Sequence, residues 1–254
     1  MCLIVFAYKT EKYPLLIAGN RDEFYNRPTR KAQYWESHPK LLAGKDLKAG
    51  GTWMGVTRDG KFAALTNYRD ISAIKENAPS RGDIVKNFLI SDVASEVFLS
   101  SLNKKAEKYN GFNLIAGDFD ELFYMNNQQN GFRKLEPGFY SISNAFLETE
   151  WPKTKNALTQ FKKKTESKDF SKEDLFELLT NTKTYPAEQL PSTGLSQKME
   201  KAVSSIFIKT PDYGTRCSTI VHAKQNGNLS FSERTYQAGS KQKKETVQYS
   251  FNWK

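Results

Sequence analysis

The chain has 254 residues, a formal net charge of +10 and two cysteines, Cys2 and Cys217. This length suits one large domain or two small ones, and it allows burial of about 70–75% of the unfolded surface. Two cysteines exclude a disulfide scaffold, and the lack of a signal peptide or of an apolar run near 20 residues predicts a cytoplasmic protein without stable membrane insertion.

Two β-hairpins are predicted in the first part of the chain. The apolar runs at 3–8 and 15–18 are separated by a polar connector that ends in proline, which is typical of a hairpin. The runs at 52–56 and 62–67 flank an Asp-Gly pair, which favours a tight turn. Consecutive hairpins favour antiparallel sheets.

The segment between the hairpins, 24–51, is interpreted as irregular, and two helices are predicted after the second hairpin. The pair Gly50-Gly51 indicates a close approach of two backbone segments near a pocket. Apolar residues at spacings of three and four predict helices over 83–89 and 92–102.

The middle of the chain predicts an antiparallel meander of four short strands with Gly, Asn and Asp turns between them. These strands are expected at 112–116, 121–125, 132–135 and 139–143.

The last hundred residues predict two helices and a second group of strands. A proline in the first turn favours a helix over 152–163, and Ser171 with Asp174 resembles a capping box before a helix at 175–179. The segment 182–194 is predicted to be a loop. Strands are expected at 206–208, 216–222, 229–236 and 248–253.

This order of strands, helices, strands, helices and strands contains no break in composition and no internal repeat. Two groups of helices can cover the outer faces of two stacked sheets. The sequence therefore predicts one α/β domain over residues 1–254, built as a four-layer αββα sandwich of two antiparallel sheets.

Cys2 directly follows the initiator methionine. If Met1 is removed, the mature chain begins with a thiol and a free α-amine on one residue. The amine has a pKa of about 7.7–8.0, so a useful fraction can accept the thiol proton near neutral pH. Cys2 is thus a candidate nucleophile with its own base, although a free cysteine is also a common buried small apolar residue.

Polar residues crowd the end of the second predicted strand, which a hairpin would return to the start of the chain. Asn20, Arg21, Asp22 and Glu23 are consecutive there. A carboxylate at this place could hold the Cys2 α-amine, and a guanidinium could lower the pKa of its thiol.

Two other predicted strands end in asparagine, at Asn67 and Asn144. An asparagine amide is a common stabiliser of the oxyanion in acyl transfer, and it is also a common turn residue. Tyr213 and Arg216 bracket the start of a later strand, where the guanidinium is either a further site residue or half of a surface salt bridge.

The positive charge is concentrated in lysine clusters without interleaved aromatic residues or a nucleic-acid motif. They are 104–105, 162–164, and 241 with 243–244. We interpret them as solvated surface with weak attraction for anions, and we expect neither a nucleic-acid partner nor a metal site.

The motif Asn20-Arg21-Asp22-Glu23 is the signature that names the NRDE family, the transport and Golgi organisation family, and the chain is identified as a member by resemblance. Further matching segments extend over most of the chain, at 27–28, 50–56, 64–69, 80–82, 109–114, 143–145, 151–153, 205–208 and 213–216.

The resemblance implies an N-terminal nucleophile hydrolase-like fold, with more distant similarity to bile salt hydrolases, penicillin V acylases and acid ceramidase. The implied catalytic set is Cys2 as nucleophile, Asp22 as the holder of the α-amine, Asn67 and Asn144 on the oxyanion side, Arg21 as a looser match, and Arg216 from the family motif.

The family is also associated with haem movement and with binding of acyl-coenzyme A and related lipids. This implies a carrier of a small amphipathic anion, with haem as a transported ligand and no required cofactor. The implied ligand-binding residues are Asn20, Glu23, Trp53, Arg69 and Tyr213. The alternative is an amidohydrolase that cleaves a non-peptide amide through a Cys2 thioester. Both hypotheses use the same cleft.

Overall fold

A computed structural model describes residues 2–253. The removal of Met1, on which the catalytic hypothesis depends, concerns a residue outside that range. Within it, the strands are β1 (Cys2–Tyr8), β2 (Leu15–Phe24), β3 (Thr29–Trp35), β4 (His38–Asp46), β5 (Met54–Thr57), β6 (Lys61–Asn67), β7 (Phe112–Asp118), β8 (Leu122–Asn126), β9 (Phe132–Lys134), β10 (Gly138–Ile142), β11 (Tyr213–Ala223), β12 (Asn228–Tyr236) and β13 (Lys243–Asn252). The α-helices are α1 (Gly82–Ile90), α2 (Ser95–Asn103), α3 (Pro152–Glu166), α4 (Lys172–Leu179) and α5 (Gln197–Ala202).

The strands form two antiparallel sheets. The first sheet has the order β10-β1-β2-β11-β12-β13, and the second has the order β3-β4-β5-β6-β7-β8-β9. Helices α3 and α4 pack on the outer face of the first sheet, and α1 and α2 pack on the outer face of the second. The predicted four-layer αββα sandwich is therefore confirmed.

Strand β1 shows why an unbroken apolar run suits this architecture. Ile4 and Phe6 point into the core between the two sheets, whereas Leu3 and Val5 pack against the helices. Because side chains alternate across a strand and both faces are covered here, every residue of β1 is buried.

Segment 24–51, predicted to be irregular, instead contains the hairpin of β3 and β4. Its strand signal is weak because β3 buries only Ala32 and Trp35 and leaves polar side chains partly or fully exposed elsewhere. The predicted close approach at the glycine pair is confirmed, since a Cβ on Gly51 would lie 2.4 Å from the carbonyl carbon of Gly82.

Two further predictions are corrected by the structure, and one helix had no counterpart in the predictions. The fourth strand of the predicted meander, β10, leaves its neighbours and pairs with β1, where Ile142 lies opposite Ile4. Residues 206–208 are not a strand, and α5 was not predicted at all. Local periodicity does not encode which sheet edge a strand will join. None of the helices within residues 2–253 has the length and apolarity needed to cross a membrane.

Candidate functional site

A cavity of about 800 Å³ opens between the sheets at the end where β1 begins. The first sheet contributes Cys2 and Arg21 to its lining, and the second contributes Asp46 and Asn67. The close contact of Gly51 with the start of α1 completes one wall. The beginning of β1 is therefore at a cavity, as the sequence predicted.

The strand register places three of the lining side chains in one row. Cys2 lies opposite Arg21 in the β1–β2 pair, and Arg21 lies opposite Cys217 in the β2–β11 pair. Residues directly opposite each other point to the same face of an antiparallel sheet. The predicted return of the second strand to the start of the chain is thus confirmed.

The Cys2 side chain is nearly buried, with 8% of its surface exposed. Burial raises the pKa of its thiol, while the charge of Arg21 acts in the opposite direction. The Cys2 carbonyl accepts a hydrogen bond from the Ser143 hydroxyl at 2.7 Å. The strand end is therefore fixed, and the thiol needs a neighbouring base to become a nucleophile at neutral pH.

Arg21 belongs to a charge network inside the cavity. Its guanidinium lies 3.5 Å from Asp46 and 3.6 Å from Glu23, and Arg27 donates to the same Asp46 oxygen at 2.6 Å. Asp46 and Glu23 thus balance the charges of the two arginines, and they hold Arg21 beside the thiol.

Asp22 is on the opposite face of β2 from Arg21, in the layer between the first sheet and its helices. One carboxylate oxygen accepts a hydrogen bond from the Thr215 hydroxyl at 2.6 Å, and the Asp22 carbonyl accepts one from Tyr213 at 3.0 Å. Burial raises the pKa of Asp22 to about 6, and the nearby charge of Lys153 opposes this shift. Asp22 also contributes to the cavity lining, and its charge acts on the Cys2 thiol.

The two asparagines occupy different positions. Asn67 lines the cavity. Asn144 does not line it but is fully buried, where its amide donates to the Asn67 carbonyl at 2.9 Å and accepts from the Ser143 hydroxyl at 3.1 Å. Asn67 can therefore meet a ligand directly, whereas Asn144 holds the strand end that carries Asn67.

Arg216 lines the cavity from a β-bulge in β11, where the register shifts between Thr215 and Cys217. Its guanidinium donates to the carbonyls of Phe24 and Arg27 at 2.7 and 3.0 Å. It therefore fixes the chain after β2 rather than forming the surface salt bridge considered from the sequence.

Two of the predicted ligand-binding residues, Glu23 and Trp53, line the cavity, and the other three do not. Asn20 is fully buried on the helical face of β2, where its amide donates to the carbonyls of Leu179 and Ile206 at 2.8 and 2.9 Å. Because successive side chains of a strand point to opposite faces of the sheet, Asn20 and Arg21 must lie on different faces. The sequence alone was enough to predict this separation.

Arg69 and Tyr213 also have contacts outside the cavity lining. The Arg69 guanidinium lies 3.0 Å from a carboxylate oxygen of Glu200 and 4.8 Å from the centre of the Trp151 ring. Both members of the ion pair are buried. Tyr213 holds the Asp22 backbone as described above, so both residues support the site from behind.

The sequence analysis missed Arg81, Cys217 and Glu233, which also line the cavity. Arg81 donates to the Gly111 carbonyl at 2.8 Å. Glu233 accepts from the Ala32 amide at 2.7 Å, and one of its oxygens is 3.6 Å from the Cys217 sulfur. The family motif at 80–82 was the available signal for Arg81, but nothing in the sequence pairs Cys217 with Glu233.

Several basic side chains on the cavity lining are not among the partners of the Asp46 and Glu23 network. They are Arg30, Lys31, Lys45, Lys48, Arg81, Arg216 and Lys244. The lining as a whole has nine Lys and Arg residues and six Asp and Glu residues. An excess of positive charge in a concave site attracts anions. The histidines His38 and His222 are not on this lining, and within residues 2–253 no cluster of three His, Cys, Asp or Glu side chains has the geometry of a metal site.

A family model described as "Transport and Golgi organisation 2" matches residues 1–238. The chain belongs to this family. It is 35% identical to the Transport and Golgi organization protein 2 homolog of Bos taurus over 99% of both chains. It is 34% identical to the homolog of Homo sapiens, also over 99% of both chains.

Solved structures with a distant likeness include two hydrolases. An N-acylethanolamine-hydrolyzing acid amidase ortholog of Caenorhabditis elegans has a TM-score of 0.49 and 10% identity, with 87% of this chain and 92% of that chain covered. A conjugated bile acid hydrolase of Clostridium perfringens has a TM-score of 0.41 and 10% identity, with 100% and 98% covered.

Proposed function

We propose that this family member is a cysteine amidohydrolase of the N-terminal nucleophile kind, acting on a small amphipathic anion that carries a non-peptide amide. The observation that carries this proposal is the position of Cys2. Its thiol faces a cavity beside Arg21, and Asp22 contributes to the lining of the same cavity. A purely structural cysteine needs neither arrangement.

The proposed reaction uses groups of the mature chain. The α-amine of Cys2 takes the thiol proton, and the thiolate attacks the amide carbon of the ligand. The C–N bond then breaks as the ammonium returns its proton to the leaving amine. Water attacks the resulting thioester with the α-amine as base, the C–S bond breaks, and the Cys2 sulfur recovers a proton.

Asn67 is the cavity residue suited to stabilise the oxyanion. Its backbone carbonyl is held by Asn144, and no hydrogen bond among residues 2–253 engages its side-chain amide. The side-chain amide can therefore donate to a developing oxyanion from a strand end that Asn144 holds in place.

The charges of the lining favour an anionic substrate. The surplus cations named above attract a carboxylate or phosphate, and Trp53 offers an apolar surface, since its ring packs over Gly19 at the inner end of the lining. A ligand with one charged end and one apolar end fits both features.

The test combines intact mass with an acyl probe. The native chain should begin at Cys2, and the mono-4-nitrophenyl ester of adipic acid should leave one adipoyl group on Cys2 and release nitrophenolate. The methyl ester of the same probe is the matched neutral control and should react at least about fivefold more slowly. Retention of Met1 on the native chain, or equal adipoylation after Cys2→Ala, would overturn the proposal.

The second candidate is a carrier that binds haem or an acyl-coenzyme A without cleaving it. The surplus of lining cations favours it, because propionates or phosphates need such partners. Since His38 and His222 lie elsewhere, the side chains on this lining that could ligate the haem iron are the thiols of Cys2 and Cys217 and the phenol of Tyr236.

Haem titration followed by visible absorption tests the carrier. Micromolar binding should weaken at least about fivefold in the charge reversal Lys45→Glu/Lys48→Glu and remain unchanged in Lys104→Glu/Lys105→Glu, a matched change outside the cavity. Equal binding by both variants would place any haem site elsewhere. We expect the cytoplasm as the compartment for either activity, because both cysteines are free thiols.

A further inference from the structure

Lys153 carries a positive charge at a buried position near the N-terminal end of a helix, where a cation is unfavourable. It is the second residue of α3 and only 2% of its surface is exposed. Its ammonium donates to the Val203 carbonyl at 3.2 Å. Burial of an ammonium costs several kcal/mol unless a charge balances it, and the N-terminal end of a helix repels cations. A compensating anion is therefore required.

The charged groups that act on Lys153 come from several elements. They are Asp22 on β2, Arg69 after β6, Cys2 on β1 and Glu200 on α5. Glu200 is already held by Arg69 at 3.0 Å and by the Thr193 hydroxyl at 2.5 Å. Among these groups Asp22 has the largest charge effect on the Lys153 ammonium, and it is itself buried.

The balance matters for the amine of Cys2. An ionised Asp22 next to this amine, acting alone, would hold it as an ammonium ion and would also oppose formation of the thiolate. A cation on the far side of the carboxylate reduces both effects. Asp22 can then orient the amine by hydrogen bonding while the amine remains able to accept a proton.

We propose that Lys153 is a positioning residue that balances the charge of Asp22 and thereby keeps the amine of mature Cys2 available as a base near neutral pH. This rests on the proposed function, because it requires a chain that begins at Cys2. Two other cations, Arg21 and Arg81, also act on the Cys2 thiol. Both line the cavity, as does Asp22, whereas Lys153 is not on the lining.

The electrostatics on both sides of the pair agree with this role. Burial lowers the pKa of Lys153 to about 8, and Asp22 opposes that shift. Burial raises the pKa of Asp22 to about 6, and Lys153 again opposes it. Between these two values both groups are mainly charged, which is the pH range in which the proposed base must work.

The experiment measures carbamidomethylation of Cys2 by iodoacetamide from pH 5.5 to 9.5, with the Cys2 peptide quantified by mass spectrometry. The full chain is used after intact mass has verified that it begins at Cys2. Lys153→Met should move the midpoint of the pH profile upward by about one unit, because loss of a nearby positive charge disfavours every deprotonation at Cys2. Lys153→Arg should restore the midpoint.

Lys155→Met is the matched control, since Lys155 is an exposed lysine on the same helix that pairs with Glu150. Its midpoint should equal that of the unchanged chain. A folded Lys153→Met protein with an unshifted midpoint, or a failure of Lys153→Arg to restore a shifted one, would overturn the role of Lys153.

The double variant Asp22→Asn/Lys153→Met serves if the single variant does not fold, because it removes both buried charges together. It should fold and have the midpoint of Asp22→Asn alone. A midpoint displaced from that of Asp22→Asn would contradict an action through Asp22. Failure of the proposed function gives a different result: the probe ester is not turned over even though the Cys2 profile depends on Lys153.

Discussion

The two faces of the first sheet differ sharply at the end where β1 and β2 meet. On the cavity face, Cys2, Arg21 and Cys217 form a row whose polar atoms face an open space. On the helical face, Asn20 and Asp22 are buried and hydrogen-bonded to neighbouring segments. Adjacent residues of one motif therefore have separate tasks, one face for chemistry and the other for holding the strand.

This difference implies that changes on the cavity face should affect reaction or binding with little loss of stability. Changes on the helical face should destabilise the fold, because they leave buried polar groups without partners.

The largest expected effect is on the cavity face. Cys2→Ala should reduce acyl-probe turnover by roughly 10³-fold or more, because the proposed covalent step then has no nucleophile. Its free energy of unfolding should change by less than about 1.5 kcal/mol, since the substitution removes a single sulfur atom from a side chain that already borders a cavity. Probe kinetics and urea unfolding of the same preparation check both statements, and a large loss of stability would break the comparison.

The next effect is expected at the buried ion pair behind the site. Arg69→Met should cost about 3–5 kcal/mol of stability because it leaves the Glu200 charge buried without its partner. The double variant Arg69→Met/Glu200→Gln should recover part of this loss. Arg30→Met, on the cavity lining, is the matched control and should change stability by less than about 0.5 kcal/mol. Urea unfolding measures all three, and equal losses for Arg69→Met and Arg30→Met would contradict the assignment.

A third effect compares two asparagines directly. Asn20→Ala should cost about 3 kcal/mol, because the carbonyls of Leu179 and Ile206 lose their donor inside the protein. Asn67→Ala should cost less than about 1 kcal/mol while slowing the acyl probe. Thermal unfolding and probe kinetics distinguish the two, and a reversed order of stability would show that the faces have been misassigned.

The smallest expected effect is a pH dependence at Asp22. Its pKa is raised from 3.8 to about 6 in the fold, so the protonated form is favoured in the folded state. The contribution to stability is complete below pH 3.8 and is lost as the pH rises through 6. Between pH 4 and 6, the unchanged chain should therefore lose on the order of 2–3 kcal/mol relative to Asp22→Asn. Urea unfolding at several pH values measures this difference. If the free energies of unfolding of the two proteins change in parallel between pH 4 and 6, the raised pKa of Asp22 is contradicted.

Much of the layer order could be predicted because hairpin turns and apolar runs are local signals. The capping box of Ser171 and Asp174, for example, is present before α4 as predicted. The hairpin of β3 and β4 was missed because its exposed strands carry few apolar residues. The partner of β10 was missed because strand pairing is decided by packing between distant segments.

The candidate site divides in the same way. Cys2 and Arg21 could be brought together from the hairpin alone, since its register follows from the chain path. The placement of Asn20 and Arg21 on opposite faces follows from the alternation of side chains along a strand. It was missed because the four residues of the motif were treated as one cluster. Lys153, Glu200 and Glu233 come from distant elements, and no spacing in the sequence indicates that they converge.

Glu233 links the two sheets at the cavity. Its carboxylate belongs to the first sheet and accepts a hydrogen bond from the Ala32 amide of the second, so this side chain restrains the distance between the sheets there. A ligand that moves the two sheets apart at this point must break the hydrogen bond between Ala32 and Glu233.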